Sequence, residues 1–355
     1  MNRSKKLISK MQLEDNAAIL LCNPSNMLYV AGYTGEGYIW ISNQENAIVT
    51  DFRYTEQANS ESPEFGLEMT DSYHSHEDIV NEIVKKYGIT TVYYEDDTMT
   101  VKDFNKCNKT IQVENWKTIG NVLTKMRSVK EECELDIIEQ ACRITSEAFE
   151  SVIKTIKSGM TEKDIAMALE FDMMKRGAKC TSFSTIVAAG ANGSLPHAVP
   201  GQYVIKPGDM ITMDFGAVYK EYCADMTRTV AFGEPSSEMR RVYDVVKQAQ
   251  QMSKDAIAPG KVCKDIDAIA RDFIDAQGYK GRFGHGLGHS LGIDIHEDPR
   301  FNTSTDLILE VGQVMTVEPG IYLPGVGGVR IEDTVFVTET GSRTVTLPTK
   351  ELIIL

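Results

Sequence analysis

The sequence predicts two domains: a small α/β domain, then a larger α+β domain made of two copies of one helix–helix–hairpin unit. Three observations predict it. The chain has 355 residues, more than one hydrophobic core comfortably organises. Short strand-like runs dominate the first third and give way to long helical runs beyond residues 118–128. A motif in the second part then returns 101 residues later. With 42% hydrophobic and 25% charged residues and no low-complexity tract, the composition is that of an ordinary globule.

In the first part, residues 17–22, 38–42, 46–51 and 91–95 are short runs rich in β-branched, aromatic and aliphatic residues, the signature of strands. Between them, residues 76–88 carry apolar side chains at helical spacing and end at Gly88, a residue suited to the left-handed position after a helix. These elements make the small α/β domain, residues 1–124.

The larger domain, residues 125–355, opens with a long helical run over 129–157. Ser158-Gly159 and Lys163-Asp164-Ile165 are echoed by Pro259-Gly260 and Lys264-Asp265-Ile266, and Gly177 by Gly278. A second helical run over 237–257 precedes the second copy. Further on, Pro207-Gly208-Asp209 leads to Asp214 and Val311-Gly312-Gln313 leads to Glu318, 104 residues apart. Matching order in both copies predicts a pseudo-two-fold domain with its cleft on the symmetry axis.

Each copy ends in a hairpin bearing two acids. Residues 210–233 read as two strands about a Tyr219-Lys220 turn, which sets Asp214 directly opposite Asp225. Residues 314–337 do the same with Glu318 and Glu332 about Pro324-Gly325. Directly opposed residues share a face, with Cβ atoms about 5 Å apart. Four carboxylates gathered in one cleft cannot all stay ionised unaided; two divalent cations would offset them. His289 is the fifth candidate ligand, its neutral imidazole suited to manganese, iron, cobalt or zinc. His285 and His289 are four apart, but the four glycines of 284–292 rule out a zinc-binding helix.

Gly288-His289-Ser290-Leu291-Gly292 has the letters of a serine-hydrolase elbow. An elbow needs an apolar strand before the serine, a helix after it, and an acid and then a histidine downstream. Here a glycine-rich loop precedes Ser290, and the single histidine after it, His296, is too close for that order.

A formal charge of −14 and a pI near 5.0 argue against nucleic acid and anionic membrane surfaces as partners. No run approaches the roughly 20 apolar residues of a membrane helix, and no signal peptide is read at the start. The seven scattered cysteines fit free thiols in a reducing cytoplasm.

With these residues in view, the chain resembles the Xaa-Pro peptidases, aminopeptidase P and prolidase, of the pita-bread metallopeptidases. Leu195-Pro196-His197-Ala198, Met213-Asp214-Phe215-Gly216, Asp225-Met226-Thr227-Arg228-Thr229, the His289 loop, His296-Glu297, Val317-Glu318-Pro319-Gly320 and Arg330-Ile331-Glu332-Asp333 carry the resemblance in family order. Thr50-Asp51-Phe52-Arg53-Tyr54 resembles the creatinase-like N-terminal domain of the same enzymes, which methionine aminopeptidases usually lack. The resemblance implies two divalent ions per subunit, manganese with cobalt, zinc or iron as alternatives. Asp214 would bind one ion and His289 with Glu318 the other, while Asp225 and Glu332 bridge them. It further implies a metal-bound hydroxide as nucleophile, Glu318 as proton shuttle, and His197 and His296 as catalytic residues on the substrate side. Arg330 and Tyr322 are weaker candidates for substrate contacts, and Arg330 equally for an ion pair with Asp333 or another acid. The substrate implied is a proline-containing peptide, cut at its Xaa-Pro bond as a dipeptide or at the N-terminus of a longer chain, by a cytoplasmic homodimer. Many relatives have Thr where this chain has Leu287. The competing reading is a non-catalytic interaction module of the same fold, and relatives of that kind lose ligands that are all retained here.

Overall fold

The structure is a computed structural model describing residues 2–355. The chain divides into two units, one ending at Arg127 and one spanning Ser128–Leu355.

The first unit is a six-stranded mixed sheet, formed by β1 (Ala17–Leu21), β2 (Tyr38–Ser42), β3 (Asn46–Thr50), β4 (Gly66–Met69), β5 (Thr91–Tyr94) and β6 (Asn115–Thr118), in the order β4-β3-β2-β1-β5-β6. Its helices are α1 (Arg3–Met11), α2 (Pro24–Ala31), α3 (Thr55–Glu61), α4 (His76–Tyr87) and α5 (Val101–Thr110). β1 is buried along its whole length, as an uninterrupted apolar run at a sheet centre should be. α4 begins at a reciprocal Ser75–Asp78 capping box and stops at Gly88, whose φ of 66° is left-handed. β4 and β6 are edge strands with largely solvent-facing residues.

The second unit is reached through α6 (Val122–Ser128) and repeats one motif twice. The first copy contains α7 (Glu132–Val152), α8 (Glu162–Lys175), β7 (Cys180–Thr181), β8 (Ile186–Ala189), β9 (Asp209–Phe215), β10 (Ala217–Tyr219), β11 (Tyr222–Cys223) and β12 (Met226–Phe232). The second contains α9 (Ser237–Asp255), α10 (Cys263–Ile274), β13 (Gly288–Ser290), β14 (Glu297–Phe301), β15 (Val314–Val317), β16 (Gly320–Leu323), β17 (Gly327–Arg330), β18 (Asp333–Thr338) and β19 (Gly341–Thr344).

The internal repeat read from the sequence is present in three dimensions. α8 and α10 start 101 residues apart, and the residues before them, Thr161 and Val262, bridge to Val204 and Ile308, which are 104 apart. Gly159 and Gly260, Gly177 and Gly278, and Gly208 and Gly312 are all left-handed, with φ between 84° and 100°. A side chain would strain each of these turns. Each copy has its own core: Phe149, Ile165, Leu169 and Met213 are among the buried residues of the first, and Val242, Val246, Ile266 and Val335 of the second.

The first hairpin differs from the expected register. Asp214 lies opposite Thr227, not Asp225, and the turn is Lys220-Glu221, not Tyr219-Lys220. Both turn residues adopt left-handed backbone, with φ of 46° and 69°, the geometry of a two-residue hairpin turn. No glycine or asparagine marks it, so the sequence offered no signal. The same register carries across the break between the β9–β12 and β10–β11 ladders, where the strands lie so close that a Cβ on Gly216 would meet the Ala224 carbonyl. Asp225 thus becomes a diagonal neighbour of Asp214, still on its face but about 7–8 Å away by ordinary sheet geometry. In the second hairpin, Val317 pairs with Asp333 and Gly320 with Arg330. That register sets Glu318 across from Glu332, at the break between two ladders, and the turn extends to Val326.

Among the described residues, no helix is long and apolar enough to cross a membrane.

Candidate metal centre

The repeat places its acids at equivalent points. Asp214 is the penultimate residue of β9 and Glu318 directly follows β15, while Asp225 and Glu332 directly precede β12 and β18. β13 adds His289, whose main-chain N–H donates to Thr316 Oγ1 at 3.0 Å. Its Nδ1 lies 3.1 Å from the Ser290 carbonyl, an arrangement that leaves Nε2 to face the acids. Nε2 is 3.6 Å from Asp225 Oδ2 and 3.5 Å from Glu318 Oε1. Ligand atoms of Asp225, His289 and Glu332 lie within 4.8 Å of one another. Asp214 stands beside this trio and ion-pairs with Arg330 Nη2 at 2.6 Å.

The electrostatics of the cluster are those of a site made for cations. Burial raises the Asp225 carboxyl well above the usual carboxylate range, and the charges of Glu332, Asp214 and Glu318 add to it. Burial does the same at Glu332, helped by Glu318 and Asp214. Glu318 is pushed up to about 8 by burial, with Asp214 adding and Arg330 opposing. His289 is pushed down to about 3 by burial and by the neighbouring His296, which keeps its imidazole neutral and able to ligate. Asp214 Oδ1, Asp225 Oδ1 and Glu332 Oε1 are buried without a hydrogen-bond partner. Orphaned carboxylate oxygens in the interior are costly unless paired or bound to metal. Oxygen-rich donors with one neutral imidazole match a divalent first-row ion, so the residues fit the metals that the resemblance implies.

The cluster opens into a cavity of about 590 Å³ whose wall includes Asp214, Asp225, His289, Glu318 and Arg330. His197 and His296 also line it and are exposed, and the His296 and His289 rings meet edge to face at 4.5 Å. Arg330 is buried and donates to Thr227 Oγ1, the Pro196 carbonyl and Tyr322 Oη. Asp333, the one acid named for it from the sequence, is taken instead by Arg228 at 2.8 Å and Lys254 at 2.9 Å. Tyr322 stands outside the cavity wall, bonded to Arg330 and to His285 Nε2 at 2.8 Å.

Ser290 is fully buried and does not line the cavity. The strand β14 follows it, not a helix, and the two glycines serve packing. A Cβ on Gly288 would lie 2.1 Å from the Thr316 carbonyl, and one on Gly292 2.8 Å from Glu297 Oε1. The elbow geometry is absent.

Two further residues bear on the site. Thr227 donates to Glu332 Oε2 at 2.7 Å; its place two residues after Asp225 on one strand face was a usable signal. Lys130 reaches Ser290 from 160 positions away, and nothing local in the sequence points to it.

A model of metallopeptidase family M24 matches residues 136–339, and one of the creatinase/prolidase N-terminal domain matches residues 3–129. A protein of Bacillus subtilis (strain 168) described as an uncharacterized peptidase is 41% identical over 338 residues, covering 95% of each chain. Among solved structures, an Xaa-Pro dipeptidase from Bacillus anthracis superposes with a TM-score of 0.95 at 39% identity, covering 99% of both chains. An X-Pro aminopeptidase from Thermotoga maritima MSB8 superposes with a TM-score of 0.93 at 36% identity, covering 99% of this chain and 100% of the other.

Proposed function

The chain belongs to metallopeptidase family M24, and from that premise we propose that it hydrolyses the Xaa-Pro bond of dipeptides or at the N-terminus of longer peptides, using two divalent ions. The observation that carries this reading is the set of buried, unpartnered oxygens on Asp214, Asp225 and Glu332, beside His289 at the wall of a 590 Å³ cavity. Asp214 would hold one ion, His289 and Glu318 the other, with Asp225 and Glu332 shared between them. Manganese suits this carboxylate-rich set best. Such ions supply Lewis acidity toward a peptide carbonyl and lower the pKa of water toward about 7.

The side chains do the rest. Glu318, whose Oε1 lies 3.5 Å from His289 Nε2, takes a proton from the attacking water and returns it to the departing proline nitrogen. His197 and His296 contact the peptide from the cavity wall. Arg330, bonded to both Asp214 and Thr227, orients the acids and offsets part of their charge, and Tyr322 steadies Arg330. The Xaa-Pro preference is supported by the names of the Bacillus anthracis and Thermotoga maritima proteins. A homodimer is the assembly proposed with it.

The test is hydrolysis of an Xaa-Pro dipeptide and an Xaa-Pro-Yaa tripeptide, before and after EDTA and after Mn²⁺ is restored. Cleavage lost to chelation and recovered with Mn²⁺ is expected, and the preferred length assigns dipeptidase or aminopeptidase. A metal-loaded protein that cleaves neither peptide overturns the substrate assignment.

A further inference from the structure

The serine of the 288–292 run has no part in the function above, yet a buried charge holds it. The Lys130 side chain is 1% exposed. Its Nζ donates to Ser290 Oγ at 3.0 Å and to Glu297 Oε2 at 3.1 Å. Ser290 directly follows His289, and Glu297 directly follows His296. The two are paired across the β13–β14 ladder, at the point where its register shifts beside His289. One ammonium therefore ties together the residues that follow the two histidines. Glu297 Oε1 accepts from the Asp294 N–H at 3.1 Å, which closes the intervening loop, and Gly292 leaves the room for that carboxylate. The Lys130 main chain is fixed as well, its N–H donating to the Gly312 carbonyl at 2.9 Å, ahead of the strand that leads to Glu318.

A buried Lys–Glu pair is a poor device for stability alone. Desolvation of both ions offsets their attraction, and apolar replacements of similar volume are often as stable or more so. A directed set of hydrogen bonds supplies something apolar packing does not: a fixed orientation for the backbone on either side. Here that backbone carries His289 and His296, whose rings meet at 4.5 Å and 74°.

We propose that Lys130, Ser290 and Glu297 form a positioning network that fixes the His289–His296 pair, so that one ring meets the metal while the other meets the peptide. The inference rests on the metal-dependent reading of those two histidines. The deciding variant is the double replacement Lys130→Met with Glu297→Leu, which removes the charges together and fills the space. It should fold, yet Mn²⁺ affinity of the metal-free protein, measured by titration calorimetry, should fall about 10- to 100-fold, with a comparable fall in kcat. A purely structural role would leave both at wild-type values, and that result overturns the network. If the double variant does not fold, Glu297→Gln keeps the volume and removes the charge. About tenfold weaker Mn²⁺ binding is then expected, and a folded Glu297→Gln protein with wild-type affinity and kcat overturns the proposal. A wild type that binds Mn²⁺ but cleaves no Xaa-Pro peptide sinks the substrate reading alone and leaves the affinity comparison standing.

Discussion

Glu332 and Asp333 are adjacent in sequence, both buried, and opposite in electrostatic character. Glu332 faces Asp225 and His289, has one oxygen without a partner, and has its carboxyl raised by burial and by other acids. Asp333, on the other side of the chain, meets Arg228, Lys254 and Lys350. Burial alone would raise the Asp333 carboxyl, but the three cations overcome it and hold it at about 2. Arg228 also donates to the Glu332 and Thr227 carbonyls, so the neutralised cluster braces the backbone of the strained one. The difference separates an acid that the fold neutralises from an acid that it leaves open to the proposed ions.

Replacing each in turn should sharpen that contrast most. Glu332→Ala, like Asp225→Ala, is expected to abolish turnover and weaken Mn²⁺ retention while the metal-free protein stays folded, because a destabilising buried charge has gone. Asp333→Asn strands Arg228 and its neighbours, and loss of one partner of a buried ion cluster costs about 3–5 kcal/mol. Its melting temperature should fall steeply while Mn²⁺ still binds the folded fraction. Thermal melts and metal titrations of both variants decide it. Retained metal-dependent turnover in Glu332→Ala, or unchanged stability in Asp333→Asn, would erase the distinction.

The two acids also predict opposite responses to pH. Asp333 is depressed on folding, so its contribution is full above its ordinary value of 3.8 and is lost as pH falls toward about 2. Glu318, Glu332 and Asp225 are raised, so folding favours their protonated forms. For Glu318 the destabilisation grows as pH rises from the ordinary value of 4.5 and is complete above about 8. Metal-free protein should therefore lose stability from about pH 5 to 8, and Mn²⁺ should raise the melting temperature more at pH 8 than at pH 5. A metal-induced shift that is flat across this range would mean the cluster is not what the ions neutralise.

How far this could be read from the sequence depends on whether a residue's role is local. The repeat was legible because Gly159, Gly260, Gly208 and Gly312 occupy backbone that only glycine adopts easily. The gathering of the acids was legible because strand residues two apart share a face, which is why a register wrong by two left Asp225 on the face of Asp214. The turn at Lys220-Glu221 was not legible, since neither residue advertises a left-handed conformation. The choice of Asp214 over Asp333 as the partner of Arg330 was not legible either. It depends on which side of β17 and β18 each chain faces and on cations drawn from α9 and the segment after β19.

The smallest expected effect belongs to Ser290→Ala. If Ser290 were a nucleophile, its loss would cost on the order of 10⁶-fold in turnover, as removal of such a serine does elsewhere. As an acceptor for Lys130 it contributes one hydrogen bond, worth about 1 kcal/mol or less than tenfold in any rate it supports. Lys130 keeps its bond to Glu297 in the variant, so the histidine pair stays tethered at one of its two points. Activity reduced by less than about tenfold, with Mn²⁺ binding retained, is the expected outcome. A folded, metal-loaded Ser290→Ala protein without activity would give the serine a role that its full burial and its absence from the cavity wall deny.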